Sequence, residues 1–234
     1  MTKIYEALDN AGRERTQGAA RRGGAGLAIT ASKPLEDKLL SLYQQIEAAL
    51  QRQRGAIIEM VSAHPGDETA RIARQFAKLA SARMGKRVLL LGAVGPVLVT
   101  EATSDWQAMA ESGELREEAF RLVGDSSLCV SQMASNASTL SAVLDAPGLP
   151  QVLEQIREQF DIVVVVAPAL GTSPEGYQLA SVVDGVVVVI EAGRTRWQAA
   201  KREVARMQAQ GAKVLGLILN KRRYYIPDFV YRRI

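Results

Sequence analysis

Apolar positions along this chain follow two rhythms that take turns. Between Leu35 and Leu50 they recur as Leu39, Leu42, Tyr43, Ile46 and Leu50, the three- and four-residue spacing of a helix with one buried face. The next run, IIEMV (57–61), is short and continuous, and predicts a strand. Ile72, Ala73, Phe76, Leu79 and Ala80 then predict a helix over 67–84, stopped by Gly85. RVLLL (87–91) predicts a second strand and LCV (128–130) a weaker one. PQVLEQIREQF (150–160) is a helical pattern leading into the strand DIVVVV (161–166), and YQLASVVD leads in the same way to GVVVVI (185–190). A helix over 196–210 and the strand KVLGLIL (213–219) complete the series. Unbroken Val/Ile/Leu runs mark strands covered on both faces. Their alternation with helices implies right-handed crossovers and a mostly parallel sheet. The expected fold is α/β, three-layered, with helices on both faces of the sheet.

The ends of the chain break this pattern. Residues 1–16 place Ile4, Leu8 and Ala11 on one helical face, in a segment too short to be stable alone, which predicts a docking segment. Residues 17–34 are glycine-rich and aperiodic, and are expected to be a linker. The compact domain is assigned to 35–226 and a basic-aromatic tail to 227–234.

Composition adds bounds. The 234 residues are 47% apolar and 23% charged, with a formal charge of +4. That balance permits an acidic partner such as an anionic membrane surface or nucleic acid. The single cysteine, Cys129, excludes an intramolecular disulfide and fits a reducing compartment. The longest uncharged apolar run, Val88 to Val99, is interrupted by Gly92, Gly95 and Pro96 and falls short of the about 20 residues a spanning helix needs. With no apolar signal segment at the start, a cytoplasmic protein is expected, reaching a membrane through a partner or its tails.

Candidate chemistry lies in SAHPGDETARIARQFAKLA (62–80): an apolar strand, a Pro-Gly turn, then an amphipathic helix. That is the setting of a phosphate-binding loop, G-x-x-x-x-G-K-[ST], in which glycine lets backbone N–H groups wrap phosphates, lysine neutralises them and the hydroxyl holds Mg²⁺. The opening MTKIYEAL and the long stretch DGVVVVIEAGRTRWQAAKREVARMQAQGAKVLGLILNKRRYYIP (184–227) resemble the bacterial tyrosine kinases of capsule and exopolysaccharide synthesis. These belong to the deviant P-loop ATPase group, with the partition and division-site ATPases. The resemblance extends over about residues 35 to 226 and implies a P-loop NTPase-like fold.

Against that family the loop departs at the positions that matter. Pro65 and Gly66 match its P-G-x-G-K-T and Asp67 fills the variable place, but Glu68 replaces the glycine, Thr69 the lysine and Ala70 the magnesium ligand. Gly92 and Val94 stand where the family carries D-x-D, and Val166 where it carries a second metal-organising aspartate. Asp161 opens the same strand about 16 Å away and is no substitute. With Asp67 and Glu68 facing the phosphate charge, the expectation is a catalytically inactive relative that takes neither ATP nor Mg²⁺ and holds no metal.

Other positions carry paired readings. Asn220 is either an adenine contact, as the resemblance implies, or a strand-end turn residue. Arg71 and Arg74 either grip an anion at the helix N-terminus or are solvated, the latter being expected. His64 lacks an evident carboxylate to orient it as a base, and Cys129, Trp106 and Trp197 are expected to be packing residues. The family's ring-forming E-x-x-R-x-x-R helix keeps only Glu36, since Leu39 and Leu42 stand in for arginines. Tyr224, Tyr225 and Tyr231 are either phosphorylation sites or docking aromatics.

The resemblance implies a partner, the cytoplasmic ends of a membrane polysaccharide co-polymerase, for which the chain would act as an adaptor, with peripheral membrane contact. The alternatives are an active ATP-binding kinase or ATPase with non-standard ligands, and a partition-type protein. No nucleic-acid partner is expected, because the domain interior lacks runs of Arg and Lys.

Overall fold

The computed structural model describes residues 35–50, 55–65, 68–95, 105–124 and 126–221. The predicted docking segment, linker and tail, with Ile4, Tyr224, Tyr225 and Tyr231, lie outside them. The elements in order are α1 (Leu35–Leu50), β1 (Ala56–Ser62), α2 (Thr69–Met84), β2 (Val88–Val94), α3 (Trp106–Ser112), β3 (Arg121–Leu122) and β4 (Leu128–Ala134). Then come α4 (Ala137–Leu144), α5 (Leu149–Gln159), β5 (Ile162–Val166), α6 (Glu175–Val182), β6 (Gly185–Glu191), α7 (Trp197–Ala209) and β7 (Val214–Asn220).

The strands form one sheet of order β3-β4-β2-β5-β1-β6-β7, parallel except for the two-residue β3. β1 pairs with β5 on one side and β6 on the other, so the strand that feeds the loop is central. Side chains leave each strand alternately to the two faces. Ile58 and Met60 of β1 pack with Leu42, Tyr43 and Ile46 of α1 and Phe76 of α2. Ile57 and Val61 join the opposite layer, with Trp106 of α3, Leu140 of α4, Ile156 of α5, Tyr177 of α6 and Val204 of α7. Both faces are covered, which is why the strand runs are continuously apolar. Leu39 and Leu42 are buried in this packing rather than presented for a ring contact.

α3, β3 and α4 have no counterpart in the expected pattern, and β4 is longer than expected. β4 runs on to Ala134 because Ser131 and Gln132 interrupt its apolar run without interrupting its pairing to β2. Ser131 is buried and its hydroxyl accepts a hydrogen bond from Trp106 Nε1 at 2.9 Å, which places that tryptophan in the core. α4 carries small and hydroxylated residues, ASTLSAVL, so only Leu140 and Val143 mark its buried face. Asn136 caps it, accepting from the Thr139 N–H at 2.9 Å.

At the amino end of the sheet, Arg157 of α5 and Asp184 before β6 form a buried ion pair, each side chain 5% exposed. Arg157 Nη1 also donates to Gly55 O at 3.1 Å, and Asp184 Oδ2 accepts from Ile57 N at 2.8 Å. The group ties α5 and β6 to the start of β1. A side chain at Gly55 would collide with Phe160 O, at 1.9 Å from the added carbon. Removing one partner leaves the other charge buried. Arg157→Met is therefore expected to cost about 3–5 kcal/mol in urea denaturation; a loss under about 1 kcal/mol would show the pair to be dispensable.

Glu59, in the middle of β1, is fully buried between Val165 and Val186 and neither carboxyl oxygen has a hydrogen-bond partner. Burial pushes its carboxyl well above the usual carboxylate range. The folded state thus keeps a proton that the unfolded chain has lost. Stability from this group is complete below the unfolded value near 4.5 and declines as pH rises towards the folded one. Glu59→Met is expected to flatten that decline and to stabilise the protein at neutral pH by on the order of 1–3 kcal/mol. Denaturant titrations across pH 4 to 8 that give both proteins the same slope would count against it.

Candidate phosphate-loop site

The carboxyl ends of the parallel strands share one edge of the sheet, where open α/β folds bind ligands. β1 delivers the chain to its centre. Leu170 N donates to Ser62 O at 3.0 Å and Gly171 N to Ala63 O at 3.3 Å, while Ala63 N donates to Val189 O at 3.4 Å. The base of the loop is thereby fastened to segments on both sides before it reaches half-buried His64 and exposed Pro65. Gly66 and Asp67 lie outside the described residues.

Glu68 has φ 59 and ψ 32, a left-handed conformation. Its carbonyl starts α2, accepting from Arg71 N at 3.0 Å and Ile72 N at 3.1 Å. The left-handed turn explains why the helix begins at Thr69 rather than at 67. It is also the geometry that the motif's glycine serves, and a glutamate adopts it against its steric preference.

The carboxylate of Glu68 is held by two cations. Arg71 Nε lies 2.5 Å from Oε2 and Lys221 Nζ lies 2.9 Å from Oε1. Lys221 follows β7 and is itself left-handed, with φ 55; among the described residues, these two are the non-glycine residues with positive φ. Lys221 Nζ is also 3.3 Å from Glu191 Oε2 at the end of β6, and Arg194 Nη1 lies 3.6 Å from the same oxygen. Lys221, then Arg71, hold the Glu68 carboxyl below its ordinary range, and Glu68 is the main reason the Lys221 ammonium is raised. The expectation that Arg71 is merely solvated gives way to this ion pair.

At the first turn of α2, Thr69 is 7% exposed and its hydroxyl has no hydrogen-bond partner. Ala70, beside it, presents only a methyl group. The N-terminus of a long helix supplies backbone donors and a positive dipole end for an anion. Two cations therefore meet at this helix end, with the buried Thr69 hydroxyl in its first turn.

The other predicted positions are divided by the fold. Gly92 and Val166 lie opposite each other in register, and Val166 also faces Met60 of β1, so these two acidic-motif positions are together and apolar. Val94 pairs with Ala134, farther along the edge. Asp161 is at the far end of the sheet, where it pairs with Arg87 Nη2 at 3.0 Å and accepts from Arg87 N at 2.8 Å. Asn220 O accepts from Ala192 N at 2.8 Å, and its side-chain Oδ1 accepts from Lys221 N at 2.9 Å. That side chain orders the turn that carries Lys221. Cys129 is a half-buried residue of β4, with its thiol pushed up by burial. Trp197 is half-buried, with Lys201 Nζ 5.4 Å from its ring centre.

Lys221 and Glu191 are the site residues that sequence reasoning missed. Their link to the loop is a matter of strand order: β6 and β7 run parallel to β1, so their last residues arrive at the edge from which the loop leaves. A basic residue directly after the last strand was the available signal. A cavity of about 560 Å³ lined by Tyr43, Glu47, Lys86, Arg87 and Asp161 opens at the opposite, amino edge of the sheet. It is remote from the loop, and its rim is crossed by the Arg87–Asp161 pair.

No protein-family model matches the chain. Among curated proteins it is 32% identical over 81 residues to the tyrosine-protein kinase CpsD of Streptococcus agalactiae, covering 35% of each chain. It is 28% identical over 181 residues to the succinoglycan biosynthesis transport protein ExoP of Rhizobium meliloti, covering 70% of this chain and 22% of that one. The tyrosine-protein kinase YwqD of Bacillus subtilis is 23% identical over 205 residues, covering 84% and 86%. The match thus spans about a third of the length of the streptococcal kinase. The kinase domain of the Escherichia coli tyrosine kinase ETK superposes with a TM-score of 0.71 at 15% identity, covering 92% of this chain and 89% of that one. MinD of Pyrococcus horikoshii, solved with Mg-ADP, superposes at 0.59 and 16% identity, covering 76% of each.

These findings overturn two expectations. An inactive chain, and one without ATP or Mg²⁺ as cofactors, runs against relatives that are named tyrosine-protein kinases and a fold neighbour that carries Mg-ADP. The fold also alters the charge balance at the loop, because it brings Lys221 as well as Arg71 against the Glu68 carboxylate. The chain's curated homologues thus include bacterial tyrosine-protein kinases, and it shares its fold with a solved tyrosine-kinase domain and with MinD.

Proposed function

We propose that the chain is an ATP-binding, tyrosine-kinase-like component of exopolysaccharide or capsule synthesis and export, working at the inner face of the membrane with the cytoplasmic ends of a co-polymerase. The observation that carries this reading is the meeting of Lys221 and Arg71 at the N-terminus of α2, on the carboxyl edge of the sheet. These groups suit a phosphate chain: two cations to neutralise it and helix-end donors to bond it. Arg71 and Lys221 would hold the nucleotide, which when bound supplies the phosphoryl group. Phosphoryl transfer depends on positioning and charge stabilisation, and in this chain both fall to ligands other than the family's lysine and carboxylates. The acceptors assigned to the reaction are Tyr224, Tyr225 and Tyr231. The contact surfaces assigned to the co-polymerase are the amphipathic start (Ile4, Tyr5, Leu8) and the basic end from Arg222 to Arg233.

The kinship with ExoP, a succinoglycan biosynthesis transport protein, supports the polysaccharide assignment. No helix among the described residues is long and apolar enough to cross a membrane.

Two outcomes are expected. In thermal denaturation, Mg-ATP should raise the melting temperature, since a ligand at 100 times its dissociation constant stabilises by about 2.7 kcal/mol. With labelled ATP, phosphate should appear on tyrosine, and replacing Tyr224, Tyr225 and Tyr231 by phenylalanine should abolish it. A melting temperature that millimolar Mg-ATP leaves unmoved, with no label on tyrosine, would refute the kinase reading. For the partnership, Ile4→Asp with Leu8→Asp should abolish co-purification with the co-polymerase and leave the melting temperature unchanged. Retained co-purification would place the docking surface elsewhere.

A further inference from the structure

The Glu68–Lys221 contact has two unusual features at once. Both residues are left-handed, which favours glycine at each, and they bond across the point where the loop enters α2. A glutamate carboxylate between a lysine and an arginine at a helix N-terminus presents an anion where the loop architecture would present a phosphate. Beside it the Thr69 hydroxyl is buried without a partner, a polar group whose hydrogen bond is left for something else to make.

We propose that Lys221 is the phosphate-binding cation of this chain, delivered from the end of β7 in place of a loop lysine, and that Glu68 occupies it as an internal latch until a nucleotide's phosphates displace the carboxylate. This rests on the nucleotide reading above and names the residues that set its affinity. In the latched form Glu68 satisfies Arg71 and Lys221. In the open form the same two cations turn to the phosphate chain and Glu68 swings to solvent, to which its side chain is already 34% exposed. Lys221 keeps Glu191, 3.3 Å away, in both forms, which fixes the ammonium at the edge while its other partner changes.

The latch predicts opposite effects from its two halves. Calorimetric titration of the full chain with Mg-ATP, and separately with inorganic tripolyphosphate, would be made on wild type, Glu68→Gln, Lys221→Asn and the double variant. Asparagine at 221 tolerates the left-handed backbone while removing the charge, and circular dichroism would check that each variant is folded. Glu68→Gln should tighten both ligands at least tenfold, because the competing carboxylate is gone. Lys221→Asn should weaken both at least tenfold, and in its background Glu68→Gln should recover less than threefold. Raising the salt concentration should weaken binding more steeply in Glu68→Gln than in Lys221→Asn.

Wild-type binding that is unchanged by Lys221→Asn would overturn the proposal while leaving the nucleotide reading intact. Weakened ATP binding with unchanged tripolyphosphate binding would also overturn it, since Lys221 would then be reading the nucleoside. Looser binding in Glu68→Gln would make Glu68 a ligand rather than a latch. No heat with any variant, Glu68→Gln included, would overturn the nucleotide reading and this inference together.

Discussion

The placement of β1 governs the rest of the molecule. It is hydrogen-bonded to β5 and β6 and covered by a helical layer on each face, so its course is fixed on all four sides. Everything at the carboxyl edge follows from that. The loop leaves from a rigid base, α2 starts at a defined point, and the ends of β6 and β7 are brought level with it. The amino end is held by the Arg157–Asp184 pair, which joins α5 and β6 to the first residues of the same strand. A buried ion pair is a weak source of stability beside a hydrophobic replacement. Its geometric role here is to register two crossovers on one strand.

The same strand carries an unexplained burden in Glu59. A carboxyl with no partner in the centre of an apolar sheet is costly, and proteins tolerate such groups more often for function than for stability. The group lies below the phosphate-loop edge on the strand that supplies the loop.

The sheet was legible because a strand buried on both faces has no choice but a continuous apolar run. All five long strands with such runs appear in the sequence pattern, as do the helices whose apolar residues recur at three and four. α4 was not legible, since alanine and serine on its surface dilute its period, and the end of β4 was hidden by Ser131 and Gln132. For the site, the loop was legible as a setting, and its departures at Glu68, Thr69 and Ala70 were visible by type. Their consequence was not. Glu68 is neutralised by Lys221 as well as by Arg71 of its own helix, and only the strand order brings that lysine to the loop. Local motifs report the groups a loop owns; they are silent about groups that a distant strand delivers.

The delivery of Lys221 by β7 has a consequence for the order in which the protein becomes competent. The loop emerges early in synthesis, but β1 cannot take its central place until β5 and β6 have both followed, and β7 docks on β6 later still. Contacts so distant along the chain form late, because closing long loops must precede any gain from the contacts they make. The helix N-terminus can therefore exist before its cation does. A nascent or truncated chain ending short of β7 would carry the loop's acid with Arg71 alone against it, so the charge balance at the site itself registers whether the domain has been completed.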